Sequence, residues 1–149
     1  LRALSLPKGE AISFGLGQVH NGINQGFSAV LIWYFIGSKC LSNGLRQKID
    51  VIRNVGGSLL VPTIVLAEAL DIAEKRRVEF DFAEMYRLIQ EEPEFEIIGF
   101  EFEILDEATH IKGIRDIHDR IIAATANFYH AGILTKDRII KESGEVEIL

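Results

Sequence analysis

Four carboxylates in this chain stand where a change of secondary structure is expected: Glu68, Asp116, Asp119 and Asp137. Carboxylates at such turns can hold a hard divalent cation. Magnesium takes oxygen ligands, keeps several waters, and needs only one or two protein carboxylates together with a substrate phosphate. With the ion in place, an acidic cluster presents positive charge to a phosphodiester. Each residue also has a plainer account. At about 100° per residue, Val65, Leu66, Ala69, Leu70, Ile72 and Ala73 share one broad apolar arc. Glu68 falls just outside it, on the flank of Asp71 and Lys75, as a boundary residue of an amphipathic helix would. Asp116 as an N-cap and Asp119 three positions later come close to a capping box, and both suit the positive end of a helix dipole. Asp137, in Thr135-Lys136-Asp137, suits a turn. His118, between two aspartates, reads as a surface or hydrogen-bonding residue with no catalytic role. Taken one at a time, the structural account of each residue is the stronger.

The elements that would position these groups alternate from residue 28 onward. Residues 29–36 are strongly apolar and open a helix with Ser28 as its N-cap. Residues 45–55 form a second helix stopped by Gly56-Gly57, and 58–61 a buried strand ended by Pro62. Thr63 caps a helix running to residue 77, whose last turn sets Lys75, Arg76 and Arg77 against the negative end of the dipole. Residues 81–91 form a helix, 95–98 a strand, 104–112 a helix, and 119–130 a helix closed by Gly132. Residues 133–134 form a strand and 145–149 a last edge strand. Strands separated by helices imply crossover connections and a parallel sheet covered on both faces. Ligands of such sheets bind outside the carboxyl ends of the strands, which is where the four acids fall.

Composition bounds the rest. At 149 residues, 48% hydrophobic and 26% charged, with three prolines, the chain suits one compact domain with a real core. No apolar run is long enough for a bilayer span, and residues 1–27 lack the features of a secretory signal. The single Cys40 excludes an internal disulfide and fits a reducing compartment, so a cytoplasmic location away from membranes is expected. A net charge of −6 argues against broad attraction to phosphate backbones. The basic groups Lys75, Arg76 and Arg77, and Lys136, Arg138 and Lys141, read first as solvated surface. No Gly-rich phosphate loop with Lys and Ser/Thr supports a different phosphate-handling α/β protein.

Four separated segments together resemble the PIN domain family, as found in VapC-like toxin ribonucleases. Residues 58–69, Ser-Leu-Leu-Val-Pro-Thr-Ile-Val-Leu-Ala-Glu-Ala, resemble the family's second strand and acidic helix. Residues 116–126, Asp-Ile-His-Asp-Arg-Ile-Ile-Ala-Ala-Thr-Ala, resemble its later acidic helix, and Leu134-Thr135-Lys136-Asp137 its final strand and acidic turn. Trp33-Tyr34-Phe35, with Gly37-Ser38 and Leu41-Ser42, resembles the end of its first helix. The resemblance implies a three-layer α/β/α sandwich with a central parallel sheet. It implies cleavage of RNA by water with Mg2+ or Mn2+, with Glu68, Asp119 and Asp137 as catalytic metal ligands and Asp116 as an outer-shell or capping partner. It also implies a cognate antitoxin as partner, and a homodimer.

The pattern breaks at the start. The family's first strand ends in Asp-Thr-(Ser or His)-Ala, whereas here the corresponding stretch is Gln25-Gly26-Phe27-Ser28-Ala29-Val30, and no aspartate precedes Asp50. Glycine and asparagines make residues 19–24 a poor buried strand. The expected organisation is therefore an atypical segment 1–27, not native to the family through a frameshift or a wrongly chosen start, and a PIN-like domain over 28–149. The first strand is then missing or replaced by residues 11–14. A catalytically inactive PIN-like module that binds protein or RNA is the alternative to an active ribonuclease.

Overall fold

The computed structural model describes the backbone at residues 11–14, 19–20, 23–24 and 27–149, and side chains from Val30 onward. Four parallel strands form the sheet in the order β5-β4-β1-β6. β1 is Ala11–Phe14, β4 is Ser58–Pro62, β5 is Phe95–Ile98 and β6 is Gly132–Leu134. β1 is the central strand, pairing Ile12 with Leu59 on one side and with Gly132 on the other. The expected replacement strand at 11–14 is therefore present. β2 (Val19–His20) and β3 (Ile23–Asn24) lie outside this sheet and pair with each other, antiparallel.

A strand buried on both faces reads as a continuous apolar run. Leu59, Leu60 and Val61 of β4 fit this, each fully buried. The order of the sheet then distributes the helices. The crossovers from β1 to β4 and from β4 to β5 step the same way, so right-handed connections put α1 (Phe27–Phe35), α2 (Asn43–Asn54), α3 (Thr63–Glu74) and α4 (Phe82–Glu91) on one face. The crossover from β5 back to β6 reverses direction and puts α5 (Phe102–His110) and α6 (Ile117–Phe128) on the other. This is the expected three-layer sandwich. α6 is enclosed: six consecutive residues, Ile121 to Ala126, are buried. Alanines at 123, 124 and 126 let neighbouring backbones approach, and Thr125 satisfies its hydroxyl by donating to the Ile121 carbonyl at 2.8 Å. Among the described residues no helix is long and apolar enough to cross a membrane.

Several boundaries differ from expectation for identifiable reasons. α1 starts at Phe27, so Ser28 lies within the helix and is not its cap. α3 begins directly after Pro62, without a side-chain cap from Thr63, and stops at Glu74. There the chain turns through Arg76 at φ 50°, and the Arg77 amide donates back to the Ile72 carbonyl. The basic trio therefore lies beyond the helix. Leu70, expected in the apolar arc, is 40% exposed. α6 is closed by His130 at φ 52°, which frees Gly132 for β6. A Cβ at Gly132 would meet Leu149 Cγ at 2.4 Å, so the glycine is needed for packing. The expected strand at 145–149 reduces to a single parallel bridge between Ile148 and Ile133, because the left-handed turn at Gly144 delivers only the last residues alongside β6. A short helix, α7 (Arg138–Ser143), was not expected.

Arg76 occupies the position after a helix end where glycine is favoured. Arg76→Gly removes the left-handed strain of a side-chain-bearing residue, partly offset by a more flexible unfolded chain. A net gain of about 0.5 kcal/mol is expected in urea denaturation, whereas Gly56→Ala, at φ 73°, is expected to lose about 1 kcal/mol.

Candidate functional site

Because α3 starts with no intervening loop, Glu68 lies about one and a half turns beyond the carboxyl end of β4. Val65, Leu66, Ala69 and Ile72 fix the buried face of α3, and Glu68 sits beside it, 20% exposed. Its Oε1 is 3.0 Å from Nδ1 of His118, and its Oε2 is buried without a hydrogen-bond partner among the described residues. Burial pushes the Glu68 carboxyl up. The neighbouring His118 opposes that rise, while Asp116 and Asp71 add to it.

Asp116 is the N-cap of α6: one oxygen accepts the amides of His118 at 2.9 Å and Asp119 at 3.2 Å. Asp119 is the third helical residue, and its Oδ1 is buried without a partner among the described residues. The expected capping box is thus half formed, since Asp119 does not reciprocate. Burial foremost, then the charges of Asp116, Asp137 and Glu68, push the Asp119 carboxyl up to about 7. The four acids therefore lie within one another's field.

Asp137 follows β6 and caps α7. Its Oδ1 accepts the amides of Ile139 and, at 3.1 Å, Ile140, while its own amide donates to the Thr135 hydroxyl at 2.9 Å. It is 4% exposed. A turn residue was expected here, and the structure makes it a helix cap, leaving Oδ2 outside that cap.

His118, expected to be a surface or hydrogen-bonding residue, is half exposed and hydrogen-bonds to Glu68. Its contact spans 50 positions, and no local pattern could have signalled it. The basic clusters are engaged elsewhere. Lys75 pairs with Asp71 and Arg138 with Glu142, while Lys136 lies 5.0 Å from the centre of the Trp33 ring and donates to the Cys40 carbonyl.

Two buried, partnerless carboxylate oxygens beside two further acids suit a hard cation that retains much of its water. They do not form a closed cage: among the described residues, no three His, Cys, Asp or Glu side chains are grouped to hold an ion. Nor can β1 or α1 contribute an acid, since residues 11–49 contain no Asp or Glu.

Fold and site together define a parallel α/β domain with acidic groups toward the carboxyl end of its sheet. The PIN domain family matches residues 28–145, and the chain belongs to that family. No curated protein sequence matches it significantly. Two solved structures share the fold. One is a chain of the VapBC2 complex from Rickettsia felis bound to a DNA fragment from its promoter, with a TM-score of 0.64 and 14% identity, over 82% of this chain and 93% of that one. The other belongs to a toxin–antitoxin complex from Klebsiella pneumoniae, with a TM-score of 0.53 and 14% identity, over 87% of each.

A carboxyl group raised from 3.8 to about 7 in the folded state binds its proton more tightly there than in the unfolded chain. Its contribution to stability therefore falls as pH rises through that window. In chelator-treated protein, Asp119→Asn should leave stability nearly unchanged near pH 4 and raise it at pH 8. The gain should be roughly 1–2 kcal/mol, less than the full shift implies because the group is partly solvated. Equal effects at both pH values in urea titrations would contradict the electrostatic account.

Proposed function

We propose that this chain is a metal-dependent endoribonuclease of the VapC-like toxin type, attenuated by the missing acid of its central strand. Glu68, Asp119 and Asp137 are the catalytic, metal-binding carboxylates, and Asp116 is the capping partner that fixes Asp119. The observation that carries this reading is the pair of unpartnered buried oxygens, Glu68 Oε2 and Asp119 Oδ1. Buried polar atoms without partners are destabilising, and Mg2+ or Mn2+ would offset that. When bound, the ion supplies a nucleophilic water at neutral pH and offsets the charge that grows on the phosphodiester. The chain's own part is geometric. Asp116 holds the first turn of α6 so that Asp119 faces the acidic cluster. The amides of α7 fix Asp137, and α3 brings Glu68 from the opposite face of the sheet.

RNA is the substrate in this reading. The toxin–antitoxin complexes among the structural neighbours support a cognate antitoxin as partner. A homodimer and a cytoplasmic location complete the proposal, the latter supported by the single cysteine. A second reading is a catalytically inactive module that binds protein or RNA. It is favoured by the absence of any acid from residue 11 to 49 and of a closed ligand cage among the described residues.

The test is a chimera in which residues 1–28 are replaced by a strand ending in Asp-Thr-Ser, compared with the original chain. Restoring one inner charge is expected to raise magnesium-dependent cleavage of RNA by about 10²–10³-fold. Asp119→Asn in both backgrounds separates turnover from contaminating ribonuclease. A chain that already cleaves at the chimera's rate, and loses that rate on Asp119→Asn, would show that the missing acid is immaterial. No cleavage by either form would favour the inactive module.

A further inference from the structure

We infer that His118 is a positioning residue for the acidic site, holding Glu68 in the orientation that leaves Oε2 available to a divalent cation. The inference rests on the metal-dependent reading proposed above. Among the described residues, the contact between His118 Nδ1 and Glu68 Oε1, 3.0 Å, is the only side-chain hydrogen bond joining α3 to α6. Those two helices pack on opposite faces of the sheet and carry the two unpartnered oxygens.

In the Nδ1–H form the ring donates to Oε1. One oxygen of Glu68 is then fixed, and the other, Oε2, is buried with no hydrogen-bond partner among the described residues. The backbone that carries the ring is anchored, since the His118 amide donates to the Asp116 cap at 2.9 Å. The His118 side chain is 50% exposed, and its one hydrogen bond among the described residues is the one with Glu68. An exposed pair of this kind adds little to stability. What it supplies is a fixed carboxylate, and partners that fix a metal-binding side chain typically change metal affinity by about 10–100-fold when removed.

The experiment measures Mn2+ affinity at pH 7.5 in the full chain, from thermal stabilisation and from the EPR signal of free Mn2+. Wild type is compared with His118→Ala, His118→Asn, His118→Gln and Asp119→Asn. His118→Ala should weaken Mn2+ binding about 10-fold or more. His118→Asn, whose amide nitrogen reaches the Nδ1 position, should recover most of the affinity. His118→Gln, whose amide reaches the Nε2 position, should bind as poorly as alanine. If the alanine variant does not fold, the contrast between Asn and Gln carries the same information. A lower metal-free melting temperature with unchanged Mn2+ affinity in His118→Ala overturns the inference while leaving the metal site intact. Equal affinities for the Asn and Gln variants overturn it as well. A wild type that binds no Mn2+, or binds it equally after Asp119→Asn, overturns the metal-dependent reading and this inference with it.

Discussion

Asp116 accepts the backbone amides of His118 and Asp119, and the placement of both at the site follows from that cap. A helix start offers amides with no partner inside the helix, and a carboxylate there is stabilised both by hydrogen bonds and by the dipole. Once the cap is formed, Asp119 is carried into the cluster and the His118 ring meets Glu68. Asp137 is held by the same device at α7, so two of the four acids are fixed by amides rather than by cations. The chain thereby concentrates negative charge without drawing on its lysines and arginines. The energetic consequence is visible at Asp119, whose proton is retained to about pH 7 because burial and its neighbours oppose ionisation.

The sheet decides where this charge gathers. β1 is only four residues long, yet it joins β4 to β6 and so sets the distance between the elements that bear Glu68 and Asp137. It performs that structural task with Ala-Ile-Ser-Phe and brings no acid to the carboxyl end. Scaffold and ligand supply are separate properties of the same strand, and here only the first is present. PIN-family membership therefore does not by itself imply a full complement of acids.

Much of this was legible in the sequence wherever local chemistry decided the outcome. The apolar run at β4, the helix α4, the strand at β5 and the Asp116 cap all rest on patterns within a few residues. The helix ends were misjudged where a non-glycine residue takes a left-handed conformation: Arg76 stops a helix expected to run to residue 77, and His130 does what Gly132 was expected to do, while Gly132 serves packing instead. Leu70 was misplaced because periodicity gives a face, but not how much of that face a neighbour covers. α7 escaped notice because six residues, Arg138–Ser143, are too few for a helical period to stand out. The contact between His118 and Glu68 could not be anticipated, since it exists only after helices from opposite faces meet.

The enclosure of α6 makes the site uneven in its motion. A helix with six consecutive buried residues has no free side on which to roll, so displacing it means opening the core. The amides of residues 121–126 are thus expected to exchange only as the domain opens as a whole. α3 has a solvated flank, marked by Leu70, Asp71 and the pair it forms with Lys75, and it can fray or shift at lower free energy. Displacing Glu68 with the solvated flank of α3 therefore costs less than opening the enclosed stretch of α6.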